Sequence, residues 1–347
     1  MLYYVIQFKG LSELQLTTKE AEWLRTNCPY FTEEYLRYLR SYRFRPDEQV
    51  KMQLHITSEP GVDIEEGCIT MEISGLWVET ILYEVPILAI LNEIYFLTVD
   101  KSWTYGGQQV NVVQGDEGLI MAKTLYSKVS FGGTKNLPHF AMKYGLSALG
   151  ILSHEWIMGI ATIHGYENAN GLAMDLWEIT YPTTKSNDLH IAPTDTFSTD
   201  AFTLNFEADA VCAARWKGLR QDSGDPFEFI PKVQAAYERM GIDYRKKVLA
   251  FSDGLDLELA VKLQKTVDKA GFIGSYMIGT FFTNYYERVE NGQRSQPFNM
   301  VVKLASVEGN PCVKIGDDNT KNTGDSEIVV QIKQKLGIAI QTKATGP

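Results

Sequence analysis

Val248-Leu249-Ala250-Phe251-Ser252-Asp253-Gly254 is the stretch on which the fold turns. Four consecutive apolar residues closed by Ser-Asp-Gly read as a short strand buried on both faces, as in a parallel sheet. The spacing that follows predicts a helix over Leu257–Ala270, stopped by Gly271, and then a second apolar run, Ile273–Ile278. Strand, helix and strand in such close succession make a βα unit. The same rhythm extends upstream. Apolar runs at Ala148–Leu152, Leu189–Pro193 and Val211–Leu219 are expected strands, with helices at Glu155–Ile163, Glu167–Ile179 and Pro226–Met240. Asp225 can cap the last of these, Pro226 suits its first turn and Gly241 can end it. An irregular α/β barrel over residues 78–296 is the expected architecture.

The flanks differ in character. Thr17-Thr18-Lys19-Glu20 has the form of a capping box, and a second helix is expected over Glu33–Leu39. Gln53–Thr57 and the alternating Cys68–Ser74 read as strands, and Val78–Leu97 as a long apolar helix. The tail returns to strands at Asn299–Val307 and Val313–Ile315, turned by Glu308-Gly309-Asn310-Pro311, before a last helix from about Asp325 to Leu336. Residues 1–77 and 297–347 are therefore expected to form one smaller mixed α+β domain.

Composition narrows the function. A net charge of −10 disfavours sequence-blind binding to DNA, which depends on cations meeting phosphates, and leaves room for a small phosphorylated substrate held locally. The four cysteines, Cys28, Cys68, Cys212 and Cys312, lie far apart with no C-x-x-C pair, so neither a disulfide framework nor a cysteine zinc site is expected, and a reducing compartment fits. The apolar stretch Val85–Leu97 contains Pro86, Asn92 and Glu93 and reads as too short and too polar to span a bilayer. The expected setting is the cytoplasm or nucleus, with no nucleic acid and no membrane as partner.

Reactive residue types follow each expected strand. His154 and Glu155 come after the first, Asp195 after the second, Arg220 and Asp222 after the third, Ser252 and Asp253 after the fourth, Gly279 and Thr280 after the fifth. In a parallel βα barrel the loops after the strands converge on the face that carries the active site. Any single Ser, Thr, Asp or Gly there serves equally well as a cap or turn. Five successive loops of this kind point to one rim. Gly279-Thr280 suits a phosphate, since glycine allows close backbone approach and a helix start offers N–H donors. Asp222 and Asp225 have the oxygen chemistry for Mg²⁺ or ribose hydroxyls, with helix capping as the alternative, and capping is the expected role of Asp225.

Several of these segments together resemble a known family. Ser153-His154-Glu155-Trp156-Ile157-Met158-Gly159 is similar to the histidine segment of nicotinate phosphoribosyltransferases, above all fungal ones. So are Thr194-Asp195-Thr196-Phe197-Ser198-Thr199-Asp200, Arg220-Gln221-Asp222-Ser223-Gly224-Asp225-Pro226 and Ile278-Gly279-Thr280. His139-Phe140-Ala141-Met142-Lys143-Tyr144-Gly145 and Ile315-Gly316-Asp317-Asp318-Asn319 add support, in the same order along the chain. The resemblance implies a type II phosphoribosyltransferase-like α/β barrel beside a smaller domain. It implies transfer of phosphoribosyl from phosphoribosyl pyrophosphate (PRPP) to nicotinate, in the salvage route to NAD. ATP with Mg²⁺ drives the reaction through a phosphohistidine, for which His154 is the matching residue. By the same likeness Asp222 and Glu155 join His154 as catalytic candidates. Arg220 would lie beside the pyridine ring, Asp195 near ribose or pyrophosphate, and Ser252, Asp253, Gly279 and Thr280 toward the 5′-phosphate. The set of metal ligands stays open, and a homodimer is implied.

The chain also departs from the family pattern. Within these 347 residues there is no L-x-D-x-Y-x-x-T-M segment, whose tyrosine helps to bind the pyridine; Met1-Leu2-Tyr3-Tyr4 resembles the strand that follows it. Where the family carries F-G-T-R-R-R, this chain reads Val110-Asn111-Val112-Val113-Gln114-Gly115-Asp116-Glu117-Gly118, and no arginine occurs between Arg45 and Arg215. Lys101 and Lys123 are imperfect substitutes for arginine's planar fork. Ile151, Gly254, Phe281 and Tyr285 stand where the family has Thr, Ser, Asn and Asp, which implies a drier or reshaped pocket. Weak turnover of nicotinate is therefore expected. A non-catalytic binding protein, or an enzyme for a different small molecule, is the alternative.

Overall fold

The computed structural model describes residues 8–57, 67–99, 102–105, 142–143, 145, 150–278, 286–293, 301–318 and 321–339. The chain forms two compact units. One comprises residues 1–107 and 285–302, the other residues 108–284 and 303–347.

In the first unit the capping box forms as expected. Thr17 accepts from the Glu20 amide and Glu20 returns a bond to the Thr17 amide, opening the helix Thr18–Asn27. A second helix spans Glu33–Ser41. Strands β1 (Val50–Ile56) and β2 (Gly67–Ile73) pair antiparallel, Val50 opposite Ile73. The expected helix over Val78–Leu97 is interrupted. A helical turn at Trp77–Thr80 passes through a 3₁₀ turn at Ile81–Tyr83 into the helix Glu84–Thr98. The whole run, Trp77–Thr98, is 22 residues and is long and apolar enough to cross a bilayer by length and composition. This corrects the sequence estimate, which bounded the apolar stretch at Val85–Leu97. Tyr83 and Ile87 are buried with Phe8 and Leu11, while most of the run is not buried. A short strand β3 (Trp103–Tyr105) pairs with Tyr286–Arg288.

The second unit is built on a parallel sheet. Strands β4 (Ile191–Pro193), β5 (Gly218–Gln221), β6 (Val248–Phe251) and β7 (Ile273–Tyr276) lie side by side in chain order. Along β6 the residues alternate between two apolar faces. Leu249 and Phe251 join the main core with Leu219, Trp216, Leu263 and Tyr276, whereas Val248 and Ala250 pack with Ile191 and Met277. Burial on both sides is why the strand sequence is continuously apolar. Helix Leu257–Ala270 turns Ala260, Leu263 and Val267 inward, is capped by Asp256 and ends at Gly271 in the left-handed conformation. Gly218 is demanded by packing, because a Cβ there would stand 2.0 Å from the Val248 carbonyl oxygen of the next strand.

Three sequence expectations change here. Residues 150–152, the described part of the expected strand Ala148–Leu152, form no strand, although the Leu152 amide donates to the Ile191 carbonyl at 3.0 Å. Val211–Leu219 is not one strand. Its first part is the helix Ala210–Arg215, started by Asp209, whose carboxylate accepts from the Val211 and Cys212 amides, and only Gly218–Gln221 is extended. Lys247 then holds the end of that helix, donating to the carbonyls of Ala213, Ala214 and Trp216; burial lowers its pKa to about 8. Among the described tail residues, strand pairing is confined to Ser306–Val307 with Asn310–Pro311, and Val313–Ile315 forms no strand but makes a single bridge from Lys314 to Thr323.

The boundary between units moves as well. Residues 303–347 cluster with the parallel sheet rather than with the N-terminal residues, and the long apolar helix joins the N-terminal unit. The reason is visible in contacts the sequence does not announce. Val313 and Ile315 are fully buried in the core of the second unit, and the Ile315 amide donates to the Thr196 carbonyl at 2.8 Å.

Candidate functional site

The residues following β4, β5 and β6, and the start of the helix His154–His164, meet at the carboxyl ends of the strands. Ser153 caps that helix by accepting from the Trp156 amide, which places His154 on its first turn. The imidazole is buried. Its Nδ1 lies 2.9 Å from Thr196 Oγ1 and its Nε2 lies 3.1 Å from Asp222 Oδ2. Burial pushes its pKa down to about 4, against the opposing pull of Asp222 and Asp195. The ring is therefore neutral near pH 7. A carboxylate only accepts, so Nε2 carries the proton and Nδ1 accepts from the Thr196 hydroxyl.

Each carboxylate of the cluster has its own cation. Asp222 receives Arg220 at 2.8 Å through Oδ1, which also accepts from Ser252 Oγ at 2.5 Å. Burial works against its charge, but Arg220, His154 and Ser252 outweigh that penalty, and the Asp222 pKa lies well below the usual carboxylate range. The guanidinium also donates through Nε to Ser252 Oγ at 2.9 Å. Asp195 is fully buried. Its Oδ2 accepts from Ser223 Oγ at 2.7 Å and from Lys314 Nζ at 3.1 Å. Burial opposes ionisation here too, but the Lys314 ammonium and the Ser223 hydroxyl overcome it, so its pKa is also lowered. The other oxygen, Oδ1, has no hydrogen-bond partner among the described residues and stands 3.9 Å from His154 Nε2. Asp253 pairs with Lys321, whose ammonium also donates to the Asp222 carbonyl at 2.9 Å.

Of the residues nominated from sequence, His154, Asp195, Arg220, Asp222, Ser252 and Asp253 are thus brought together. Glu155 acts electrostatically on Lys303 and Cys312. Asp225 is a helix cap, accepting from the Phe227 amide at 2.7 Å. Gly279, Thr280, Lys101 and Lys123 lie outside the described residues. Lys314, Lys321, Thr196, Ser223 and Asp317 were not nominated. The only sequence signal for the tail residues was the Ile315–Asn319 motif.

Two family models match the chain. The nicotinate phosphoribosyltransferase (NAPRTase) family covers residues 108–340, and its N-terminal domain covers residues 5–92. This chain belongs to the nicotinate phosphoribosyltransferase family. It is 36% identical to the nicotinate phosphoribosyltransferase of Methanosarcina acetivorans over 357 residues, 92% of this chain and 83% of that protein. It is 33% identical to that of Saccharomyces cerevisiae over 371 residues, 95% of this chain and 83% of that protein. The crystal structure of the Vibrio cholerae nicotinate phosphoribosyltransferase superposes with a TM-score of 0.81 at 27% identity, covering 98% of this chain and 85% of that one. The expected α/β class with a parallel sheet is therefore the family's fold.

Proposed function

We propose that the chain carries out the reaction for which its family is named. Phosphoribosyl passes from PRPP to nicotinate, nicotinate mononucleotide and pyrophosphate leave, and ATP drives the cycle through His154. One observation carries the reading: a neutral imidazole fixed at both nitrogens, by Thr196 and Asp222, beside a buried carboxylate oxygen that has no hydrogen-bond partner among the described residues.

The neutral imidazole has its lone pair on Nδ1; once the Thr196 hydroxyl turns away, that nitrogen can attack the γ-phosphorus of ATP, the N–P bond forming as the bond to ADP breaks, while Nε2–H stays on Asp222. Asp222 steadies the ring and any positive charge that develops on it. Arg220, held by Asp222 and Ser252, presents a planar face suited to an aromatic acceptor. Asp195 and Asp222 fit Mg²⁺, since their oxygens lie within 4.8 Å of each other and of His154, and one is unpartnered. The ion would neutralise phosphate charge there. The homodimer and the cytoplasmic or nuclear setting belong to the same reading, and the four free thiols suit a reducing compartment.

A second reading rests on the absence of arginine between Arg45 and Arg215. A nicotinate carboxylate left unpaired in a closed site is costly, so the acceptor would be a related ring without that group. Incubation of the protein with PRPP, ATP, Mg²⁺ and either nicotinate or an uncharged pyridine separates the two. The proposal expects nicotinate mononucleotide to form. Product only with the uncharged ring favours the second reading, and retained ligand binding without product from either favours a binding protein.

A further inference from the structure

The loops that carry the site meet at several hydrogen bonds, His154 to Thr196 and Asp222, and Arg220 to Ser252. Ser223 reaches Asp195, and Ser252 reaches Asp222. The tail segment bonds to the residues after β4, β5 and β6. Lys314 holds Asp195, the Ile315 amide holds the Thr196 carbonyl, and Lys321 holds Asp253 and the Asp222 carbonyl. Asp317 sits at the centre of this segment. Its Oδ1 accepts from the Thr199 amide at 2.7 Å and its Oδ2 from the Thr199 hydroxyl at 2.5 Å. Its own amide donates to Ser223 Oγ at 2.9 Å. That same Ser223 hydroxyl donates to Asp195 Oδ2.

The chain of bonds Thr199–Asp317–Ser223–Asp195 therefore ends on the carboxylate whose other oxygen faces His154. A strained joint lies inside it. Ser198, immediately before Thr199, has φ +148°, one of two non-glycine residues with positive φ among the described residues. Such a conformation persists only where its surroundings enforce it. The grip of Asp317 on both polar groups of Thr199 supplies that enforcement.

We propose that Asp317 is a positioning residue that fixes Asp195 and Thr196 about the His154 ring, acting through Thr199 and Ser223. The inference rests on the reading of His154 as the reacting group. Among the described contacts Asp317 bonds to Thr199 and Ser223 and not to the ring, so its loss should slow the reaction more than it weakens binding.

The test uses the full chain with Asp317→Ala, Asp317→Asn and Thr199→Val. A misplacement of about 1 Å costs on the order of 100-fold in rate, and Asp317→Ala is expected to lower kcat by that factor while KM for PRPP changes less than about 3-fold. Asparagine keeps one acceptor for the Thr199 amide, so Asp317→Asn should recover much of the loss. Thr199→Val, which removes only the hydroxyl donor, should cost less than Asp317→Ala and carries the test with Asp317→Asn if the alanine variant does not fold. A rise in KM with kcat unchanged, equal loss for alanine and asparagine, or no loss in any variant would overturn the proposal. An arm independent of turnover follows the ¹⁵N signals of the His154 imidazole, assigned with His154→Gln. The wild type should show one Nε2-protonated tautomer, and Asp317→Ala the averaged signals of a loosened ring. Unchanged signals overturn the proposal even if the wild type is inactive; inactivity itself would count against the family reaction alone.

Discussion

Lys314→Met tests how the site tolerates its buried charge. Lys314 and Asp195 form an ion pair at 3.1 Å, with side chains 6% and 0% exposed. The substitution keeps most of the stem's bulk but removes the ammonium. Asp195 is left with the Ser223 hydroxyl and the more distant His154. Breaking a buried pair from one side costs about 3–5 kcal/mol. At about 2–4 °C per kcal/mol for a unit of this size, the melting point should fall by about 6–20 °C. The loss should depend on pH. In the wild type the Asp195 pKa is lowered, so its contribution is present above the unfolded value and is lost as pH falls through the folded one. Without Lys314, burial governs and the pKa rises. The unfolded state then sheds its proton first, so the deficit grows as pH climbs past about 4 and is largest at neutrality. Urea unfolding midpoints at pH 7 and pH 4.5 should show a large and a smaller deficit, and adding Asp195→Asn to Lys314→Met should restore much of the loss at pH 7. A single variant within about 1 kcal/mol of the wild type, or no rescue by the second substitution, would refute the reasoning.

Three further outcomes are expected. Gly218→Ala puts a methyl 2.0 Å from a backbone oxygen of β6, so it should destabilise the second unit by about 3 kcal/mol or more, and an unchanged thermal melt would contradict the close approach of these strands. The His154 imidazole should titrate near 4 by NMR. With an unfolded value of 6.5, the unfolded chain binds the extra proton between those values, so stability should rise with pH across that window by about 3 kcal/mol, and His154→Gln should abolish that part of the slope. Asp222→Asn removes the carboxylate from both His154 and Arg220 and should lower kcat at least about 100-fold; more than a tenth of wild-type activity would show that the ring needs no charged partner.

The sequence made some elements plain because local chemistry alone decides them. Val248–Phe251 and the helix Leu257–Ala270 fall where the apolar run and the Gly271 stop put them. Val211–Leu219 misled because Ala-Val-Cys-Ala-Ala is apolar in either conformation; the Asp209 cap, which tips it to helix, looks like any turn aspartate. The helix Thr199–Ala208 went unread for a similar reason, since its cap Ser198 lies within a run of turn-forming residues. In the site, Asp195, Arg220 and Asp222 were legible from their position at or just after strand ends, whereas His154 stands at a helix start with no strand before it among the described residues and was legible from its motif. Lys314, Asp317 and Lys321 could not, because their partners lie about a hundred residues away and only the folded chain brings them together. The same long-range contacts moved the tail out of the flanking domain where composition had put it.

The most direct measurement of the central claim is transfer of label from γ-labelled ATP to the wild type and to His154→Ala. The account predicts acid-labile, base-stable label on the wild type and none on the variant. Label that persists in His154→Ala, or a wild type that stays unlabelled while binding ATP and Mg²⁺, would contradict it.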